Sequence, residues 1–315
     1  MIEQFKQDVD TGLSASNKFL PSQYFYDARG DELFRQIMAL PSYYLTRAEY
    51  EIFNEKTDEL INALEIEKGS FFEIIELGPG DGKKTKKLLK KLLKESYDFS
   101  YHPVDISENA LNHLEAALQR EMPDLSTVPK QGLYVDALAS LKKSTHKKIV
   151  LFLGSNIGNL QDDEAADFLY QLGKNFKHDD ILLLGVDLKK SQDLILPAYD
   201  DPEGITAQFN LNILARINRE LGGEFELSNF SHEPEYLEDK GIANSYLKVL
   251  HDHSVTIKSL NKSFCFRAGE KIHTEISRKY DESILKKITA ATDFIIASKI
   301  TDSNAYFADY ILKRN

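Results

Sequence analysis

The feature that most limits what this chain can fold into is a repeated change of period between residues 71 and 188. Strand-like runs, FFEIIEL (71–77), YHPVDIS (101–107), KKIVLFLG (147–154) and DILLLGVDL (180–188), alternate with amphipathic stretches such as KKTKKLLKKLLKES (83–96). Runs rich in Ile, Leu and Val without polar alternation are those of strands covered on both faces, the condition of a parallel sheet. Strand followed by helix, repeated, predicts a doubly wound α/β sheet. Near the C-terminus FIIASKITDSNAYFADYIL (294–312) carries two apolar runs around Asp302, Ser303 and Asn304, which predicts an antiparallel hairpin added to that sheet.

The flanking segments have a different texture. Residues 1–67 read as helical and aromatic, with Leu33, Phe34, Ile37, Met38 and Leu40 at helix spacing. Thr46 followed by Glu49 is a capping-box pattern and predicts a helix starting at Thr46. Between about 190 and 284 the strand–helix alternation stops, and NLNILARINREL (210–221) is followed by strand-like YLKVL, HSVTIKSL and SFCFRAG. The expected organisation is a core of residues 68–189 and 285–315, and a smaller α+β domain of residues 1–67 and 190–284, with a ligand in the cleft between.

Composition narrows the partners. Lys and Arg total 39 against 50 Asp and Glu, a formal charge of −11 that supplies no basic surface for tracking phosphates, so nucleic acid is not expected. The single cysteine, Cys265, excludes an internal disulfide and a cysteine-based zinc site. His251 and His253 flank Asp252 with no third ligand in view, so no metal is expected. The first residues, MIEQFKQDVDTG, carry acids and no apolar run, and no later stretch approaches the ~18 apolar residues of a spanning helix. A soluble, cytoplasmic protein without a membrane partner is the expectation.

The sharpest local signal is ELGPGDG (76–82), with Gly78, Gly80 and Gly82 directly after a buried strand, where a cofactor could approach the backbone closely. A Walker A loop needs four residues between its glycine and Gly-Lys-Ser/Thr; here three intervene and Lys84 precedes Thr85. A dinucleotide fingerprint needs Gly or Ala where this chain has Lys83, and Asp81 would face a pyrophosphate. S-adenosylmethionine has a sulfonium and no phosphate, so it tolerates an acid there. Asp105, 23 residues beyond Gly82, stands where a carboxylate could accept both ribose hydroxyls, and Asp136 in YVDA could accept from an adenine amino group. A strand-to-helix turn with ordinary capping acids is the bland alternative. Asn159, in LGSNIGN (153–159), reads equally as a helix cap. Tyr26, Tyr43, Tyr44 and Tyr199 read equally as core or surface aromatics among 15 tyrosines, and Glu275 and Ser277 as the solvated face of a strand.

Five blocks taken together resemble a known family: YFYDARGDELFRQIMALPSYYLTRAEYEI (24–52), ELGPGDGKKT (76–85), LFLGSNIGN (151–159), AYDDPEGITAQFN (198–210) and IHTEISRKY (272–280). In order and over nearly the whole chain they are similar to the histidine-specific, S-adenosylmethionine-dependent Nα-methyltransferases of ergothioneine biosynthesis. The resemblance implies a class I methyltransferase core with a Rossmann-like sheet, and a substrate domain built from the N-terminal segment and the insertion. It implies that Gly78, Gly80 and Lys84 lie in the cofactor loop, that Asp105 takes the ribose, and that Asp136 with Ala137 borders the adenine. Tyr43, Asn159 and Tyr199 would hold the amine and carboxylate of an amino acid, Asn159 and Tyr26 acting at the reacting amine. Glu275 and Ser277 would bind the two imidazole nitrogens, since a carboxylate and a hydroxyl satisfy one ring donor and one ring acceptor.

Two departures touch the substrate pocket in this reading: Asn156 stands where bacterial histidine enzymes carry threonine, and SYLKVL (245–250) lacks a methionine expected near the imidazole. The activity implied is stepwise Nα-methylation of L-histidine to its trimethyl betaine, hercynine, with release of S-adenosylhomocysteine and without a metal. The alternatives are a methyltransferase of the same fold acting on another amine, such as an indole amino acid, and a non-catalytic module that binds S-adenosylmethionine.

Overall fold

The computed structural model describes residues 2–134, 139 and 144–314. The chain divides into two compact units, Leu45–Lys189 with Lys279–Asn315, and Met1–Tyr44 with Lys190–Arg278. Among the described residues no helix is long and apolar enough to cross a membrane.

The first unit is built on β1 (Phe72–Leu77), β2 (Phe99–Asp105), β3 (Ser126–Thr127), β4 (Lys130–Gln131), β5 (Lys147–Phe152), β6 (Ile181–Asp187), β12 (Phe294–Thr301) and β13 (Phe307–Arg314). The spatial order is β12-β13-β6-β5-β1-β2-β3, with β4 also beside β2. Pairing is parallel from β6 to β3 and antiparallel at β6–β13 and β13–β12. This is the doubly wound sheet with a terminal hairpin that the apolar runs predict. The hairpin turn is held by Asp302, whose carboxylate accepts the N–H groups of Tyr306 and Phe307, each at 2.7 Å. The strand order reverses between β1 and β5, so the loops leaving their C-terminal ends diverge and open a crevice there.

Both faces of this sheet are buried, which is why its central strands carry no alternation. One face packs Ile74, Ile149 and Leu183 against Leu88, Leu89 and Leu92 of helix Thr85–Lys94; the other packs Ile75, Val150 and Leu182 against Leu169 and Leu172. Helices Leu45–Glu55 and Thr57–Ala63 belong to the first of these cores through Ile52, Phe53, Leu60 and Ile61. The boundary between the units therefore falls after Tyr44 rather than near residue 67. The capping box expected at Thr46 is absent: the helix begins at Leu45, and the Glu49 side chain is 1% exposed and engaged with Lys84 and the Gly154 N–H instead.

The second unit holds an antiparallel sheet of β7 (Phe230–Leu237), β8 (Ile242–Val249) and β11 (Lys271–Arg278) in the order β11-β8-β7, and a hairpin of β9 (His253–Ile257) and β10 (Lys262–Phe266). Helix Ile205–Leu221 supplies Phe209, Ile213 and Ile217 to a core shared with Phe5, Val9, Ile37, Leu247 and Ile272. Sequence reading does not reveal β7, because FSHEPEYL is polar and contains Pro234; as an edge strand it tolerates a residue without an N–H.

A buried ion pair and a buried carboxyl in the sheet unit give stability tests. Lys148 and Asp180 are both fully buried with Nζ 2.6 Å from Oδ2, and Asp180 also accepts the N–H groups of Lys148 (2.7 Å) and Lys177 (2.6 Å). Asp180→Ala leaves a buried ammonium uncompensated and is expected to cost about 3–5 kcal/mol in urea unfolding. Glu76, 1% exposed, accepts hydrogen bonds from Thr85 (2.7 Å) and Tyr101 (2.5 Å), yet burial pushes its carboxyl from 4.5 up to about 7. Between those two values the folded chain holds a proton that the unfolded chain has released, so stability falls as pH rises through this window and levels off above it. Glu76→Gln, neutral throughout, is expected to make the fall in unfolding free energy between pH 5 and 7 shallower; an unchanged slope would assign the proton elsewhere.

Candidate functional site

At the C-terminal end of β1 the chain turns through Gly78, Gly80 and Gly82 with φ of +69°, +56° and +65°, a left-handed path that side chains disfavour. A Cβ at Gly78 would lie 2.7 Å from Tyr134 Oη and 3.3 Å from Asn156 Nδ2, whereas at Gly80 it would meet nothing within 4 Å. The loop is thus walled on one side by a phenol and an amide and open at its crest. Helix Thr85–Lys94 starts directly after it, with Lys84 at its N-cap position. The Lys84 ammonium pairs with Glu49, and Glu49 also accepts the Gly154 N–H at 2.8 Å, linking the loops that follow β1 and β5.

Asp105 is the last residue of β2 and is partly buried. It accepts the Ser107 N–H at 2.8 Å, and burial nevertheless raises its carboxyl above the usual range. Tyr134 is pushed up to about 12, chiefly by burial and then by the Asp105 charge. Its ring packs edge-on against Phe152, with centroids 5.8 Å apart. Asp136 and Ala137, expected at the adenine, lie outside the described residues.

After β5 the chain passes through Ser155, at φ +58°, into a short 3-10 turn, Asn156–Asn159. Ser155 Oγ accepts the Asp187 N–H at 3.0 Å, which joins the ends of β5 and β6. Asn159 is not the cap of the next helix: Gln161 is, in a reciprocal capping box with Glu164. Asn156, expected at the substrate pocket, stands against the glycine loop, its amide lying near both Gly78 and Gly154.

In the second unit a bulge between His273 and Glu275 shifts the register of β11, so that Glu275 lies opposite Ser245 and Ser277 opposite Ala243. Ile272, Glu275 and Ser277 consequently share one face with Ala243, Ser245 and Leu247. This face is not solvated, for Ser277 is 7% and Ser245 1% exposed. Tyr199, also buried, donates its hydroxyl to Ser277 Oγ at 2.8 Å. Among the described residues, Ser245 Oγ and His232 Nε2 are buried polar atoms of this sheet without a hydrogen-bond partner. Burial holds His232 down at about 4 despite Asp200 and Asp201 nearby, so its ring is neutral at physiological pH. Tyr26 and Tyr43 both set their rings edge-on against Phe34, at 5.7 and 6.3 Å, and Tyr26 remains exposed. Among the described residues no group of three His, Cys, Asp or Glu side chains is placed to hold a metal ion.

The sequence signals single out the glycine loop, Lys84, Asp105, Asn159, Tyr199, Glu275 and Ser277, but not Tyr134 or the Glu49 link. Tyr134 sits two residues before Asp136 in the YVDA block, the one local hint of its place. Glu49 is disguised as a capping residue.

Comparison with known proteins bears on what this arrangement serves. The family described as histidine-specific methyltransferase, SAM-dependent, matches residues 5–314. A histidine N-alpha-methyltransferase of Mycolicibacterium smegmatis is 35% identical over 297 residues, covering 92% of this chain and 88% of its own. One from Mycobacterium tuberculosis is 36% identical, over 87% of this chain and 84% of its own. Ergothioneine biosynthesis protein 1 of Schizosaccharomyces pombe is 30% identical over 94% of this chain and 39% of its own. With a match that spans both units, the chain belongs to the histidine-specific, S-adenosylmethionine-dependent methyltransferases.

Proposed function

We propose that this protein transfers methyl groups from S-adenosylmethionine to the α-amine of L-histidine, up to the trimethyl betaine. The donor supplies an electrophilic methyl on a sulfonium. The glycine loop suits it: the crest at Gly80 is open to close approach, and a partly buried carboxylate, Asp105, ends the neighbouring strand. In this reading Gly78 and Gly80 lie against the donor, Lys84 meets its carboxylate, Asp105 accepts from the ribose hydroxyls, and Asp136 with Ala137 borders the adenine.

A neutral amine must attack the methyl in line, so the chain's task is alignment and exclusion of water. A free α-amine titrates at about 8 to 9, so its deprotonation is a modest cost and needs no strong base. Asn159 and Tyr26 orient the amine in this account, with Tyr43 and Tyr199 on the amino acid's polar end. Glu275 accepts the imidazole N–H and Ser277 serves the other ring nitrogen. With Tyr199 donating to the Ser277 oxygen, the serine hydroxyl acts as donor through its own hydrogen.

The observation that carries the histidine reading is the polar face of β8 and β11, where Glu275 stands beside the buried Ser277–Tyr199 pair and opposite the unpartnered hydroxyl of Ser245. An indole offers one N–H and no acceptor, and would leave such a face unsatisfied. Titrating histidine into protein saturated with S-adenosylhomocysteine tests this. Glu275→Ala is expected to weaken histidine binding by about ten- to a hundredfold, the worth of about 1.5–3 kcal/mol for a hydrogen bond to a charged group, with S-adenosylhomocysteine affinity unchanged. Equal histidine affinity in wild type and mutant would remove Glu275 from the substrate and favour another amine.

A further inference from the structure

Behind the glycine loop lies a group of acids larger than one lysine can neutralise. Glu49, from helix Leu45–Glu55, and Asp309, from β13, are 1% and 0% exposed. Both converge on Gly185 of β6, where a Cβ would overlap Glu49 Oε1 and sit 3.0 Å from Asp309 Oδ1. Gly185 is thus a place where no side chain fits because two carboxyls occupy the space. Glu49 is fully engaged, pairing with the Lys84 ammonium and accepting the Gly154 N–H through both oxygens, at 2.8 and 3.1 Å. Asp309 has no such support: among the described residues neither of its oxygens has a hydrogen-bond partner. The charges acting on it are Glu49, which repels a second negative charge, and Lys84, which opposes that repulsion less strongly. Glu76 of β1, itself fully buried, also senses Lys84 and Glu49.

A buried carboxylate without a donor and beside another carboxylate is not a stable arrangement, and the same site with one proton is. We propose that Asp309 is held as a neutral carboxylic acid that backs Glu49, so that a single negative charge positions Lys84 in the cofactor loop. Asp309 is in this account a positioning residue acting through Glu49, with no contact to substrate. An ionised Asp309 would draw Lys84 back toward two carboxylates and away from the donor's own. The inference rests on the glycine loop holding the methyl donor and is independent of histidine as acceptor.

Burial, then Glu49, also push the Asp309 carboxyl well above its ordinary range, in agreement with the geometry. The test has two arms. Infrared difference spectra of wild type minus Asp309→Asn at pH 7 should contain the C=O stretch of a protonated carboxylic acid; a carboxylate band in its place overturns the proposal whatever the loop binds. In calorimetry with S-adenosylhomocysteine, Asp309→Asn, a permanently neutral isostere, should bind within about threefold of wild type, and Asp309→Ala about tenfold more weakly. Equal loss in Asn and Ala would show that the negative charge is what matters, and equal retention in both would show that Lys84 needs no backing; either result overturns the proposal. Should the alanine variant fail to fold, the infrared band and the asparagine affinity decide.

Discussion

Between β1 and β5 the chain leaves the sheet in opposite directions, and the loops that follow these two strands must be held apart enough to admit a ligand yet fixed enough to orient it. The Glu49 carboxylate meets that requirement. It ties the Lys84 ammonium at the start of helix Thr85–Lys94 to the Gly154 N–H after β5, from a position under the sheet's C-terminal edge. Around it the fold is arranged to tolerate buried charge: Gly185 leaves room, Asp309 fills it, and Glu76 lies two residues before the loop with its oxygens held by Thr85 and Tyr101. In a low-dielectric interior such a group of acids is stable only if most of its negative charge is discharged by protons or by Lys84.

The second unit uses a different device. A bulge in β11 breaks strict alternation, bringing Glu275 onto the same buried face as Ile272 and Ser277. Polar atoms then lie where an apolar layer would otherwise continue, and the unpartnered hydroxyl of Ser245 among them is costly unless a ligand satisfies it. Burying an incomplete hydrogen-bonding set is how a site rejects molecules that cannot complete it. A small, polar amino acid with a two-sided ring fits that chemistry.

Much of the architecture was legible in the sequence because the sheet's burial on both faces removes polar alternation from β1, β5 and β6. The glycine loop and Asp105 were legible in their places at the ends of β1 and β2, since positive-φ glycines and a strand-end acid stand out locally. What stayed hidden depended on tertiary contact. Helix Leu45–Glu55 looks like part of an N-terminal helical segment until Ile52 and Phe53 are seen in the sheet's core. Glu49 and Thr46 satisfy a capping pattern that the pairing of Glu49 with Lys84 overrides. Asn156 follows β5 at a position whose sequence context says nothing about the Gly78 it touches, and β7 is masked by the proline that only an edge strand accepts.

The central claim is that the α-amine of histidine receives the methyl groups. The most direct measurement incubates the purified protein with S-adenosylmethionine and an equimolar mixture of the twenty amino acids and reads product masses over time. The account predicts mono-, di- and then trimethylated histidine, with fragmentation placing every added methyl on the α-nitrogen and with S-adenosylhomocysteine released in step. Methylation of a different amino acid with histidine untouched, or methyl groups on the imidazole ring, would contradict it.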